Sequence, residues 1–342
     1  MCSCDVKQRF GSNIRRQNTR RVLDMFRYAG MLFMMLAVYL AYFTSCLAAQ
    51  KVSSEPTDIF SGAGSSTTFA FEWHEGLVFL FVSVDGSRPL RFVLDSGSTR
   101  ILIDRSLAAS LGLKAGEAGS LQGAGTGRIQ IEALHNIDLK LSGLDSKSYD
   151  CFTADLASLE QTLKTRVDGI LGYDFFRRFV ITIDFVTRQI TITRPMAFHP
   201  NSKAEEIPLN IHDKWPFFKG KLVLAGPVNV EDSFYIDSGS SDAVDHPIAK
   251  TMQSRVASQS GIGLGTPIEG AVAKAESFQI GTFIIKDPVV SCCASTDAQS
   301  RTIGTEILRR FTVTFDYPSS RIFLSPNAAL RKGFPAIPSD SK

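Results

Sequence analysis

From Phe69 onward, apolar residues come in short runs and alternations rather than at the three-to-four spacing of a helix. Gly76-Leu-Val-Phe-Leu-Phe-Val-Ser-Val-Asp-Gly, Arg91-Phe-Val-Leu and Ile129-Gln-Ile are rich in aromatic and β-branched residues and are bounded by Gly and Asp turns, the pattern of strands. Short helices are predicted over 105–111 and 247–252. Residues 51–68 are rich in Ser, Gly and Thr and lack an apolar period, which predicts a linker. Upstream, 29–49 is a nearly unbroken apolar run, interrupted by weakly polar residues such as Thr44 and Ser45. Its length suits a signal-peptide core or one membrane-spanning helix.

The pattern repeats. Phe92-Val-Leu-Asp95-Ser-Gly-Ser98 matches Phe234-Tyr-Ile-Asp237-Ser-Gly-Ser240 at an offset of 142. Gly172-Tyr-Asp-Phe-Phe-Arg-Arg-Phe-Val-Ile-Thr-Ile-Asp184-Phe matches Gly304-Thr-Glu-Ile-Leu-Arg-Arg-Phe-Thr-Val-Thr-Phe-Asp316-Tyr at an offset of 132. Matching segments in the same order at similar offsets imply an internal duplication, joined near Pro195 to Pro208, and two copies imply pseudo-two-fold lobes rather than a solenoid. The expected organisation is a basic segment with signal peptide or anchor over 1–50, a linker over 51–68, and lobes over 69–200 and 201–342.

One Asp-Ser-Gly-Ser reads as a strand ending in a turn, since these are turn residues. Two copies in matching context change that reading, because pseudo-symmetry brings equivalent turns together and sets Asp95 against Asp237. Like charges at hydrogen-bonding distance share a proton and titrate as a unit. The ionised partner can then take a proton from water while the protonated one donates to a carbonyl, with no metal, cofactor or nucleophilic side chain. Gly97 and Gly239 permit a tight backbone approach, Ser98 and Ser240 are placed to hydrogen-bond the carboxylates, and Ser96 and Ser238 to brace the loops. Asp184 and Asp316 repeat as faithfully, and are expected to be structural carboxylates at strand ends.

The paired motifs, each followed by an apolar-apolar-Gly element, resemble the pepsin-like and retropepsin-like aspartic proteases over most of residues 70 to 330. Lobes shorter than those typical of pepsins, with Gly-Ile-Leu-Gly-Tyr-Asp-Phe-Phe and Ile-Gly-Thr-Glu-Ile-Leu, are similar to bacterial retropepsin-like proteins carrying a fused pair. The resemblance implies an all-β, bilobal acid-protease fold of two β-barrel-like lobes with few short helices, and a peptide substrate in the cleft between them. It also implies that Ile170, Leu171 and Gly172, with Thr302, Ile303 and Gly304, pack beside the catalytic loops as a ψ-shaped element. The expected flap is Gly123, Ala124, Gly125, Thr126 and Gly127, with Gly261-Ile-Gly-Leu-Gly265 at the matching place. The sequence departs from the family in having Ser96 and Ser238 where Thr is commoner, and in lacking a flap tyrosine of the pepsin kind. The leading reading is an aspartic endopeptidase. The alternative is a catalytically silent peptide-binding protein on the same fold, against which the presence of both aspartates argues.

Composition narrows the remainder. The 342 residues are 44% hydrophobic, enough for real cores, and 37 Lys and Arg against 34 Asp and Glu give a net charge of +3, too small and dispersed for nucleic-acid binding. The one dense basic cluster, Arg15, Arg16, Arg20, Arg21 and Arg27, directly precedes the apolar run, so the chain beyond Lys51 is expected across the membrane, periplasmic or otherwise extracytoplasmic. Cleavage near Ala48 or Ala49, an uncleaved membrane anchor over 29–49, and lipid attachment at Cys46 stay open, and Met25-Phe26-Arg27 would begin a leader of more ordinary length. Of six cysteines, Cys151, Cys292 and Cys293 follow the leader, either as buried thiols or with a bridge from Cys151 to one of the vicinal pair. His74, His135, His199, His212 and His246 lack metal-ligand spacing and are expected at the surface or in turns, and no Gly-x-Ser-x-Gly elbow suggests a serine hydrolase. Because one chain holds both halves, a monomer should suffice.

Overall fold

In the computed structural model, residues 58–335 and 337 are described, apart from 63, 123–127, 227, 253–254, 261–267 and 293–300. Both leader and apolar run lie outside them. Among the described residues no helix is long and apolar enough to cross a membrane. Residues Pro56–Lys342 form one compact unit that is mostly β, with short helices such as Arg105–Ser110 and Ala157–Leu163.

A nine-stranded sheet is ordered Asp58–Phe60, Leu144–Ala154, Leu102–Asp104, Gly169–Leu171, Leu90–Leu94, Leu77–Val84, Arg128–Leu141 and Ala118–Gln122, with Glu72–His74 paired to Leu77–Val84. A ten-stranded sheet repeats the plan: Val256–Ser260, Ile268–Lys274, Val289–Cys292, Val244–Asp245, Thr302–Ile303, Asn229–Ile236, Trp215–Val223, Ser277–Ile280 and Phe283–Lys286, with Asn210–His212 on Trp215–Val223. In each, the strand leading into the aspartate loop runs parallel to the apolar-apolar-Gly element. Leu94 lies opposite Leu171, and Ile236 opposite Ile303. The first hairpin of each repeat turns through two residues of positive φ, Glu75-Gly76 and Asp213-Lys214, the turn that matches the twist of paired strands.

A six-stranded sheet draws on both repeats, in the order Glu205–Pro208, Arg321–Pro326, Phe311–Asp316, Val180–Asp184, Gln189–Thr193 and Ser66–Ala70. Its central pairing is antiparallel with Thr182 opposite Thr314, its own counterpart 132 positions on, and their hydroxyls are 2.8 Å apart. Around that pair Val180 faces Asp316 and Asp184 faces Thr312, so the register reads the same from either strand, as about a local two-fold axis. Ile181, Ile183, Ile190 and Ile192 from this sheet are fully buried, and one apolar cluster runs from Phe60 to Leu324 through both repeats.

Two expectations are corrected. The linker over 51–68 gives way to strands at Asp58–Phe60 and from Ser66 to Ala70. Ser66-Thr-Thr-Phe-Ala forms a sheet edge with most side chains in solvent, so it needs no apolar period, and Thr68 and Thr191 hydroxyls meet across the pairing at 2.9 Å. Nor is His246 at the surface. It is buried, its Nδ1 accepts from the N–H of Ile248 to cap the 3-10 helix Pro247–Thr251, and Nε2 lies 3.5 Å from Asp232.

Candidate active site

The site is built where the two repeats meet. Strands Leu90–Leu94 and Asn229–Ile236 each end in three buried residues, Phe92-Val-Leu and Phe234-Tyr-Ile, directly before the aspartate, where Asp, Ser and Gly force a turn. The turns are fixed to the parallel elements by equivalent bonds: Asp95 N–H donates to Leu171 O and Asp237 N–H to Ile303 O, both at 3.0 Å. Gly172 and Gly304 allow the close packing, since a Cβ would lie 2.2 Å from Arg100 O in one repeat and 2.4 Å from Asp242 O in the other. Tyr173 N–H then donates to Ser98 O and Thr305 N–H to Ser240 O, each at 2.8 Å. Leu171, Gly172, Ile303 and Gly304 thus lie against the aspartate loops, while Ile170 and Thr302 pair with Val93 and Tyr235 in the strands that lead into them.

The two loops hold each other through their serines. Ser96 N–H donates to Ser238 Oγ and Ser238 N–H to Ser96 Oγ, both at 2.9 Å, while Ser96 Oγ donates to Ile236 O and Ser238 Oγ to Leu94 O, both at 2.8 Å. Both serines have no exposed surface. Each glycine abuts the opposite aspartate: a Cβ on Gly97 would lie 2.6 Å from Asp237 Cγ, and one on Gly239 2.3 Å from Asp95 Cγ. The result brings the carboxyls of Asp95 and Asp237 together, close enough for one proton to be shared between them.

The pair is not symmetric. Asp95 Oδ1 accepts from the N–H groups of Gly97 and Ser98 at 2.8 and 3.0 Å, whereas Asp237 Oδ1 accepts from Gly239 N–H alone, at 2.9 Å. Burial raises both carboxyls above the ordinary value. Asp237 is raised well above it, because the charge of Asp95, the bond to Asp95 and the charge of Asp242 all favour its protonated form, while the backbone donors and the bond to Asp237 hold Asp95 back. The extra backbone donor thus favours the ionised form of Asp95 and, with it, the protonated form of Asp237.

The hydroxyls of Ser98 and Ser240 do not reach the carboxylates. Ser98 Oγ donates to Arg100 O and Ser240 Oγ accepts from Asp242 N–H, so both close their own turns, and the contact to Asp95 comes from the Ser98 backbone. Asp184 and Asp316 stand apart from the dyad: Asp184 caps a turn at Val186 and Thr187, and Asp316 pairs with Arg321. Candidate flap residues Gly123, Ala124, Gly125, Thr126 and Gly127 lie outside the described residues, as do 261–265, although flanking strands pair with Gln122 opposite Arg128 and Ser260 opposite Ile268.

Three contacts come from residues the motif alone does not mark. Trp215 stacks on Tyr235 and donates its indole N–H to Gly97 O at 3.0 Å, from the first hairpin of one repeat to the aspartate loop of the other. Thr305 Oγ1 donates to Gly76 O at 2.6 Å, holding the opposite hairpin turn in the reciprocal place. Tyr317, buried beneath the pair, donates its hydroxyl to Ser96 O at 3.3 Å. Its counterpart is Phe185, so the Asp-Phe and Asp-Tyr ends of the repeats carried the one available sign: a hydroxyl on one side only.

Among the described residues no group of three or more His, Cys, Asp or Glu could hold a metal ion. Cys151 is a buried free thiol and that burial opposes its ionisation, while Cys293 of the vicinal pair lies outside the described residues.

Residues 81–175 match the model of the aspartyl protease family, a span holding the Asp95 loop and the Gly169–Leu171 strand. The match supports an aspartic protease family, and with it a protease hydrolase, for this chain. No curated protein matches the chain.

Proposed function

We propose that the protein is an aspartic endopeptidase of the bilobal, pepsin-like architecture, within its retropepsin-like branch, with Asp95 as general base and Asp237 as general acid. The observation that carries this reading is the meeting of two buried carboxyls from equivalent loops, each loop's glycine against the opposite aspartate and each loop gripping the other through a buried serine. Asp95, with two backbone donors, stays ionised and takes a proton from a water lying against the pair. That water attacks the peptide carbonyl carbon as Asp237 gives its proton to the carbonyl oxygen, forming a tetrahedral diol. Collapse re-forms the carbonyl as one diol hydroxyl returns its proton to Asp237, and the C–N bond breaks as the amine takes the proton held by Asp95, which restores the pair. Such proton transfers typically contribute about 100- to 10,000-fold each. A peptide in the cleft between the repeats would be the substrate, and one chain supplies both aspartates, so a monomer should act.

The basic cluster and apolar run over 15–49 support export or tethering across a membrane, and mass analysis of the mature amino terminus would test it. The activity is tested by incubating the chain, beside Asp95→Asn and Asp237→Asn, with a diverse peptide mixture from acidic to neutral pH and mapping cut bonds by mass spectrometry. Cleavage lost in both variants is expected. Cleavage that persists in either sinks the mechanism, and none in the wild type would favour a peptide-binding protein on this fold.

A further inference from the structure

Arg100 and Asp242 occupy the same place in the two repeats, each five residues beyond its aspartate. Their carbonyls pack against equivalent glycines, Gly172 and Gly304, and each next residue, Ile101 and Ala243, is buried immediately before a strand. The backbone is duplicated and the charge is reversed.

Neither charge is cancelled within its own surroundings. The carboxylate nearest Arg100 is Asp174, at 4.0 Å, and Asp174 already holds Lys214 at 3.1 Å and Arg177 at 3.4 Å. Three cations around one carboxylate leave that flank positive. Lys214 arrives from the hairpin turn of the other repeat, where the reciprocal turn offers the neutral Gly76. The Arg100 side chain keeps 31% of its surface exposed, and its buried Nε has no hydrogen-bond partner. On the opposite flank, Asp242 is partly buried, which raises its carboxyl, and the Ser291 hydroxyl at 3.0 Å, its one side-chain partner, opposes that rise; among the described residues no cation pairs with it. Its charge lies close enough to bear on Asp237.

We propose that Arg100 and Asp242 make the cleft electrostatically polar, so that it selects peptides carrying an acidic side chain on the Asp95 flank and a basic one on the Asp237 flank. The inference rests on the peptidase reading and names its substrate class. A peptide has a direction, so a polar cleft favours one order of charges over its reverse, and like charges set against each other suppress the wrong order.

The test uses two peptides of identical composition, one with Glu before and Lys after the scissile bond and one with these exchanged, at neutral pH. The wild-type chain is expected to cleave one order about 10-fold better in kcat/KM, and the double variant Arg100→Gln/Asp242→Asn to bring the two within about twofold. The ratio is read within each protein, so a general loss of activity does not imitate the result. Equal cleavage of both orders by the wild type overturns the proposal and leaves the peptidase reading standing, as does a ratio unchanged in the double variant. If nothing is cut, the same pair is titrated against Asp95→Asn by fluorescence anisotropy. A binding preference that the triple variant loses then supports the polarity without catalysis, and no preference overturns it.

Discussion

Replacing Ser96 with alanine tests the assembly of the site without assuming any activity. The Ser96 hydroxyl donates to Ile236 O and accepts from Ser238 N–H, and its residue has no exposed surface. Removing Oγ strands one carbonyl and one N–H where water has no ready access. A buried polar group left without a partner costs about 1–3 kcal/mol. Allowing for partial relaxation, Ser96→Ala should lose about 2–4 kcal/mol, and about 3 kcal/mol corresponds to a fall of about 6–12 °C in Tm for a unit of this size. Urea denaturation of the full chain, at constant slope against denaturant, measures it. Ser110→Ala serves as control, because that hydroxyl caps only its own exposed helix end and should change stability by less than about 0.5 kcal/mol. Ser238→Ala should behave like Ser96→Ala, and the double variant should lose less than the sum, since once one half of the grip opens the other no longer holds its loop. A loss below about 0.5 kcal/mol for Ser96→Ala, or strict additivity, would refute the claim that the serines join the repeats.

Further outcomes are expected at and around the pair. Asp237 holds its proton more tightly folded than unfolded, so its stabilising contribution is complete below about pH 4 and is lost as pH rises through the raised folded value. Tm of the wild type should therefore fall more steeply from acidic to neutral pH than that of Asp237→Asn, and parallel curves would contradict the assignment. Gly239→Ala brings a methyl within 2.3 Å of Asp95 Cγ, about 1 Å short of ordinary contact, and should cut peptide cleavage about 100-fold, with full activity excluding the close approach. Buried Arg310 donates to Glu306 O, Ala329 O and Lys332 O and lies over the Phe334 ring. Arg310→Met should cost about 2–4 kcal/mol and expose the segment after Pro326 to limited proteolysis, and unchanged cleavage kinetics there would count against the tether.

The duplicated segments were legible because each carries its own local signal. The apolar run into Asp95 or Asp237, the turn residues after it, and the apolar-apolar-Gly element all need only neighbouring residues to be read. What escaped was set by distant pairing. Ser66-Thr-Thr-Phe-Ala looks like a linker because an exposed edge strand has no inward face to display, and only its partner Gln189–Thr193 makes it a strand. The bracing role of Ser96 was legible from its place in the motif, whereas the partner of the Ser98 hydroxyl was not, because that hydroxyl closes its own turn on Arg100 O and leaves the carboxylate to the backbone N–H. Trp215 and Tyr317 act on loops more than a hundred residues away, so no window of sequence contains both ends of either contact.

Each repeat is closed by its own terminal strands, Ser66–Ala70 on Gln189–Thr193 and Glu205–Pro208 on Arg321–Pro326, leaving residues 194–204 as the tether between them. A tether this short holds the second half at an effective concentration of about millimolar or more, so assembly of the pair does not depend on how dilute the protein is. It also releases the halves from identity. In a pairing of identical chains, any residue that suits one side must suit the other as well. Joined in one chain, one side can carry Arg100, Lys214 and Phe185 while its counterpart carries Asp242, Gly76 and Tyr317, and a division of labour becomes heritable.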